Sequence, residues 1–216
     1  PSVGLSPEDT AALVADLMDA GIDFIKDDEL QGNGPACPLE ARVDAVMRVV
    51  NDRAQRTGKK AMVAFNITGE MDEMKRGADH VLKRGGTCVM ASLHSIGLAG
   101  LSELRRHVEL PLHCHRNGWG LFSRSPDIGM SYVAWQKFWR IAGADPLHVN
   151  GLANKFSESD ESVIASARAV GAPLFGQDKP AFAALPVFSS GQTAAQMPAT
   201  HAAVGSPNFL YCAGGG

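Results

Sequence analysis

The chain has 216 residues, 45% hydrophobic and 20% charged, with a formal net charge of -3. This balance suits a globular domain with a sizeable core and excludes a basic nucleic-acid binder or a protein drawn to an anionic membrane surface. No apolar run reaches the roughly 18 residues of a membrane span, and no stretch reads as a signal peptide.

The elements repeat along the chain. Pro7 to Ala20 predicts an amphipathic helix, with Ser6 as N-cap, a proline in the first turn and acids behind it. Gly21 ends it, and Ile22–Ile25 is the first strand. Pro38 opens a helix to about Arg56, and Ala61–Ile67 is a strand. Helix Glu70–Lys83, strand Thr87–Leu93, helix Leu98–His107 and strand Pro111–His115 follow. A loop from Asn117 to Gly129 leads to helix Tyr132–Ala142 and strand Pro146–Val149. Helix Asp160–Ala169 has Ser159 as its cap. Strand Leu185–Phe188, a helix over Thr193–Val204 interrupted by Pro198, and strand Phe209–Ala213 complete the series. Seven strands alternate with seven helices, and the strands are near-continuously apolar. That pattern predicts an α/β fold with parallel strands covered on both faces. It fits a (β/α)8 TIM barrel lacking its first strand and last helix. An open doubly wound sheet is the alternative, but no glycine-rich dinucleotide fingerprint supports it. Cys37, Cys88, Cys114 and Cys212 show no CxxC pairing and read as free thiols in a reducing, cytoplasmic setting.

Polar residues recur at the ends of these strands, where barrel enzymes carry their chemistry. The first strand runs into Lys26-Asp27-Asp28-Glu29, the next ends in Asn66, and another in His113-Cys114-His115-Arg116. His148 ends a strand with Lys155 in the loop beyond. Ser189-Ser190-Gly191 ends another, and Gly214-Gly215-Gly216 follows the last. A charge run is usually a solvated turn, a lone histidine usually structural and a lone lysine usually surface. Here Lys26 follows apolar residues directly, and His113 and His115 share one strand face, with Cys114 on the other. Glycines at a strand end can form an anion-binding nest. Met71, Met74, Trp135, Phe138 and Trp139 lie at helical spacing and read as packing.

In type, order and strand placement these residues resemble the ribulose-bisphosphate carboxylase (RuBisCO) large-subunit superfamily over essentially the whole chain. The resemblance implies that Lys26 takes up CO2 as a carbamate and that the carbamate, Asp28 and Glu29 hold Mg2+, with Asp27 as support behind them. His115 and Arg116 would face substrate and a phosphate. Asn66, His148 and Ser189 would contact substrate, and Lys155 would be the mobile-loop lysine. Gly191, Gly214 and Gly215 would offer N–H groups to phosphate. The chemistry is consistent, because a carbamate anion beside two carboxylates calls for a hard divalent cation.

The departures decide between reactions. Pro1 and Ser2 fall where carboxylases carry a Pro-Lys pair. Asn117-Gly118-Trp119, Val149-Asn150 and Ser190 replace residues of the carboxylase pocket. This is the profile of a form IV RuBisCO-like protein. His113–Gly120 with His148–Phe156 is similar to the branch of 3-oxo-isoapionate 4-phosphate decarboxylases and transcarboxylases. The resemblance implies a Mg2+- and carbamate-dependent lyase of carbohydrate catabolism. It would form an enediolate from a phosphorylated keto-sugar or keto-sugar acid. The alternatives are ribulose 1,5-bisphosphate carboxylation, sugar-phosphate tautomerisation and a non-catalytic sugar-phosphate binder. Metal-dependent amidohydrolases, which also pair HxH with a carboxylated lysine, place the two in the opposite order. The resemblance further implies a homodimer or higher homo-oligomer with shared active sites, completed by an N-terminal domain that these 216 residues lack. The chain would then be a partial C-terminal barrel domain, inactive alone.

Overall fold

The computed structural model describes residues 4–125, 127–156, 158–175 and 182–214. Pro1, Ser2, Gly215 and Gly216 therefore lie outside the described residues. The chain divides into two compact units, residues 1–115 and 116–216.

The first unit alternates α1 (Pro7–Asp19), β1 (Phe24–Lys26), α2 (Leu39–Thr57), β2 (Met62–Asn66), α3 (Met71–Lys83), β3 (Cys88–Ser92), α4 (Leu93–His107) and β4 (Leu112–His115). Its strands pair in parallel and in sequence, β1 to β2, β2 to β3 and β3 to β4. Ser6 accepts from the Asp9 N–H at the start of α1, with Pro7 in the first turn. Glu70 and Glu73 form a capping box on α3. Strand β1 starts two residues later than expected: Ile22 is exposed, and Lys26 belongs to the strand itself. Helix α4 begins five residues early, at Leu93, because a first helical turn precedes a kink at Gly97, whose φ of 69° few other residues adopt.

The second unit comprises α5 (Gly120–Ser123), α6 (Tyr132–Ala142), β5 (Pro146–His148), α7 (Asp160–Gly171), β6 (Leu185–Phe188), a 3-10 turn at Ala194–Gln196, α8 (Met197–Val204) and β7 (Leu210–Tyr211). β6 pairs in parallel with β5 and with β7. Ser131 and Ser159 cap α6 and α7. The expected Thr193–Val204 helix is split. Pro198 lacks the N–H a helix interior needs, so it sits in the first turn of a shorter α8, preceded by a 3-10 turn. Buried Arg140 holds the C-terminal end of α7 by donating to the carbonyls of Ala169 and Ala172, and to Gln136 on its own helix.

Parallel strands joined in strict sequence by helices are the α/β barrel pattern expected from the chain. A doubly wound sheet would reverse its strand order. Cys37, Cys88 and Cys114 are buried, and the Cys114 thiol donates to the Leu112 carbonyl; Cys212, expected within a strand, is only half-buried and follows β7.

Close packing at the end of β5 leaves no room at Gly151. A Cβ there would overlap the side-chain amide of Gln192. Gln192 is wholly buried, donating to the Leu152 carbonyl and accepting from the Tyr211 hydroxyl. Gly151→Ala is expected to destabilise the fold by about 1–3 kcal/mol through overpacking, read as a lower urea midpoint at unchanged slope.

Candidate active site

In the first unit the pleat sorts the polar residues. Register pairs Lys26 with Ala64, Asn66 with Met90, and Met90 and Ser92 with His113 and His115. Paired residues share a face and alternate residues share a side. Lys26, Asn66, Ser92, His113 and His115 therefore stand on one face, and Cys114 on the other, as expected. Lower on the polar face the lining is apolar: Ala64, Cys88 and Met90, with Phe24 and Met62 against them. His113, level with Met90, is buried against this lining, while Lys26, Glu29 and His115 lie at the C-terminal ends.

Three of them converge. Glu29 Oε2 lies 3.5 Å from Lys26 Nζ and 3.6 Å from His115 Nε2. Lys26 Nζ also donates to the Asp27 carbonyl at 3.0 Å. Burial works to raise the Glu29 carboxyl, but His115, its own backbone N–H and Lys26 together hold it below its ordinary value. Asp28 turns one carboxylate oxygen onto the Leu30 N–H at 2.8 Å, an Asx-type turn that shapes the loop.

Behind this loop lies a layer of support. Asp27 is buried on the helix side, 3.1 Å from Arg42 Nε, and the Arg42 side chain is wholly buried. Asp27 also accepts from the Asn66 N–H at 2.9 Å. Burial pushes the Asp27 carboxyl upward, against the pull of Arg42 and the Asn66 N–H. Asn66 spends its side-chain amide on the carbonyls of Asp28 and Glu29, both at 3.2 Å, and its oxygen on Thr68. Thr68 in turn accepts from the Ser92 N–H. Asn66, expected against substrate, is thus bound to the backbone of the two acidic residues.

His113 sits deeper, fully buried, its ring 5.2 Å from that of Phe24. Burial, with Lys26 and His115 nearby, holds its imidazole well below the usual value of 6.5, so it is neutral. Unfolding lets it protonate near its ordinary value, so the unfolded state binds the extra proton. Stability is expected to be full above pH 6.5 and to fall as the pH drops below it. Denaturation midpoints measured from pH 7.5 to 5 should show this slope, and His113→Phe should flatten it.

In the second unit, His148 Nδ1 is 3.1 Å from Ser189 Oγ, whose hydroxyl donates to the Val149 carbonyl. Ser189 thus ties the His148 ring to the backbone at the end of β5. The His148 carbonyl accepts from Tyr132 at 2.6 Å. Arg116 is buried, its guanidinium 5.2 Å from the Tyr132 ring and 5.9 Å from Trp119, and 3.8 Å from the Glu158 carboxylate. Lys155 is exposed, with Nζ 5.6 Å from the Phe156 ring. Its backbone N–H donates to the Ser190 carbonyl. Gly191, at φ 79°, would bring a Cβ to 3.4 Å from that of Lys155. Gly214 is exposed beyond β7.

Among the described residues no group of three or more His, Cys, Asp and Glu side chains could hold a metal. The donor set that the family resemblance implies is Asp28, Glu29 and Lys26, of which Lys26 and Glu29 lie within 3.5 Å of each other. As an ammonium Lys26 repels a cation; with CO2 added it becomes a third hard oxygen donor beside Glu29. The set therefore fits Mg2+ only with a carboxylated lysine.

Arg42, Thr68, Ser92, Gln192 and Glu158 do not stand out in the sequence as site residues. Two of them carry a signal. Arg42 stands among Leu39, Val43 and Val46 on the apolar stripe of its helix, and Ser92 lies two residues beyond Met90 on the polar face. Periodicity does not mark the other three.

The family model for the ribulose bisphosphate carboxylase large chain, catalytic domain, matches residues 1–216. A 3-oxo-isoapionate-4-phosphate transcarboxylase/hydrolase from Xanthobacter autotrophicus is 59% identical over 216 residues, covering 100% of this chain and 52% of that protein. A 3-oxo-isoapionate-4-phosphate decarboxylase from Rhizobium rhizogenes is 45% identical over 218 residues, covering 100% of this chain and 51% of its own. The crystal structure of a rubisco-like protein from Burkholderia fungorum superposes with a TM-score of 0.93 at 50% identity, over 98% of this chain and 52% of that one. The chain spans about half the length of the curated relatives it matches.

Proposed function

The chain belongs to the ribulose bisphosphate carboxylase large-chain family, and from that premise we propose that the full-length protein is a lyase acting on a phosphorylated 3-keto sugar acid. It would remove or transfer the carboxyl group β to the ketone, so that the electron pair left behind is taken up by the ketone as an enolate. The observation that carries this reading is the convergence of Lys26, Glu29 and His115 at one strand end.

In this proposal Lys26, as its neutral amine, adds to CO2 and loses a proton to give a carbamate. The carbamate, Asp28 and Glu29 would hold Mg2+. When bound, the ion supplies a Lewis acid that polarises a substrate carbonyl. The chain's own residues do the rest. His115, 3.6 Å from Glu29, would hold or move a proton near the reacting carbon. The Asn66 amide, on the carbonyls of Asp28 and Glu29, keeps the acidic loop rigid. His148 and Ser189, hydrogen-bonded to each other, would both contact the substrate. Arg116, Lys155, Gly191, Gly214 and Gly215 remain proposed substrate contacts, and a homo-oligomer the proposed assembly.

The test is CO2 release from 3-oxo-isoapionate 4-phosphate by the full-length protein with Mg2+ and bicarbonate. Release that depends on both additions supports the reading. Absence of turnover with any phosphorylated 3-keto acid would overturn it. Ribulose 1,5-bisphosphate carboxylation is the second reading, and labelled CO2 appearing in phosphoglycerate would favour it. The replacement of the carboxylase residues at Asn150 and Ser190 weighs against it.

A further inference from the structure

Arg116 is expected from the family resemblance to meet a phosphate, yet its guanidinium already faces a carboxylate of the chain. Glu158 Oε2 lies 3.8 Å from Arg116 Nη2. That carboxylate is not a loose surface group. Asn150 Nδ2 donates to the same oxygen, and the Ser162 hydroxyl donates to Oε1 at 2.9 Å. Asn150 is itself buried and is fixed by the Ser190 hydroxyl, which donates to its Oδ1 at 2.8 Å.

The relay therefore runs Ser190, Asn150, Glu158, Arg116. It joins two of the positions at which the chain departs from the carboxylase pattern. Asn150 follows β5 and Ser190 follows β6, so neighbouring strand ends carry them. Ser190 holds a φ of 75°, a left-handed backbone that glycine adopts freely and serine does not. Strain of this kind persists where the surroundings impose it, and here the side chain that causes it makes the hydrogen bond to Asn150. The aromatic faces of Trp119 and Tyr132 flank the guanidinium, so little water screens the pair.

We propose that the Ser190–Asn150–Glu158 relay supplies Arg116 with a built-in anion, so that Glu158 and its two supports select substrates with one phosphate over bisphosphates. The inference deepens the proposed function and rests on it. A phosphate arriving at Arg116 would meet a carboxylate already in place, and like charges in a poorly screened setting repel. An uncharged hydroxyl-bearing end of the substrate meets no such barrier. Moving Glu158 aside would strip an acceptor from Asn150 and from Ser162, which resists displacement.

The experiment measures equilibrium binding of two probes, ribulose 5-phosphate and ribulose 1,5-bisphosphate, to the full-length protein with Mg2+ and bicarbonate. The unmodified protein is expected to bind the bisphosphate no tighter than the monophosphate. Glu158→Gln keeps size and hydrogen bonding but removes the charge. It should improve bisphosphate binding about tenfold, as loss of one nearby like charge allows, with less than a twofold change for the monophosphate. Ser190→Gly relaxes the backbone and removes the support of Asn150. It should shift the same ratio by about two- to threefold, in a variant whose backbone favours folding. A tenfold bisphosphate preference in the unmodified protein overturns the proposal. So does an unchanged ratio in Glu158→Gln, or loss of both ligands in a Glu158→Gln protein with native circular dichroism. Binding is read without turnover, so failure here is distinct from absence of CO2 release.

Discussion

Full-length protein carrying Lys26→Ala is expected to lose about 10³-fold in kcat, because an electrophilic ion stabilises developing charge by several kcal/mol. On the proposed mechanism no carbamate would form without the amine, and two of the three proposed hard donors would remain. The surroundings of Lys26 make the change specific. Its amine is held between the Asp27 carbonyl and Glu29, at the end of a strand whose neighbours on the same face are apolar. Truncation there removes a charged tip and little packing. A second measurement separates chemistry from folding. Protein equilibrated with 13C-bicarbonate and Mg2+ should show a carbamate carbonyl resonance that Lys26→Ala lacks, while the denaturation midpoint stays close to that of the parent. Turnover within tenfold of the parent would sink the assignment.

The second large effect falls on stability. Arg42→Ala is expected to destabilise the fold by about 3–5 kcal/mol, since removing one partner of a buried ion pair strands the other in a dry setting. Asp27 would keep the Asn66 N–H but lose its guanidinium, and the Cys37 carbonyl would lose the Arg42 Nη1 donor at 2.8 Å. Asp27→Ala should cost a similar amount. The double variant should cost less than the sum, because neither charge is then left alone. Urea denaturation of all four proteins gives the cycle. A single-variant loss below about 1 kcal/mol, the scale of an exposed pair, would mean that the pair is not the buried support described here.

The fold and the acidic cluster were legible for a simple reason. Period-2 and period-3.6 apolar patterns report local burial, and strand ends follow from where those patterns stop. Parity alone sorted His113 and His115 from Cys114, and Asp27 from Lys26. Boundaries were less legible where two local rules compete. Pro198 lies within apolar helical spacing but belongs in a first turn, so the helix shortens around it. Ile22 is apolar yet exposed, because the β1 pairing begins only at Phe24.

Chain order and residue type by themselves determined the parallel α/β architecture, the family and the metal-donor candidates, because each is set by residues close in sequence or by their order. Which polar group meets which was decided only in three dimensions. Asn66 and Asp28 are 38 residues apart, and Ser190 and Asn150 are 40 apart. No local pattern couples such pairs. Their partnerships follow from strand register, and they turn Lys26-Asp27-Asp28-Glu29 from a run of charges into a cluster with a defined front and back. They also place a carboxylate 3.8 Å from Arg116, the residue that the family resemblance assigns to a phosphate.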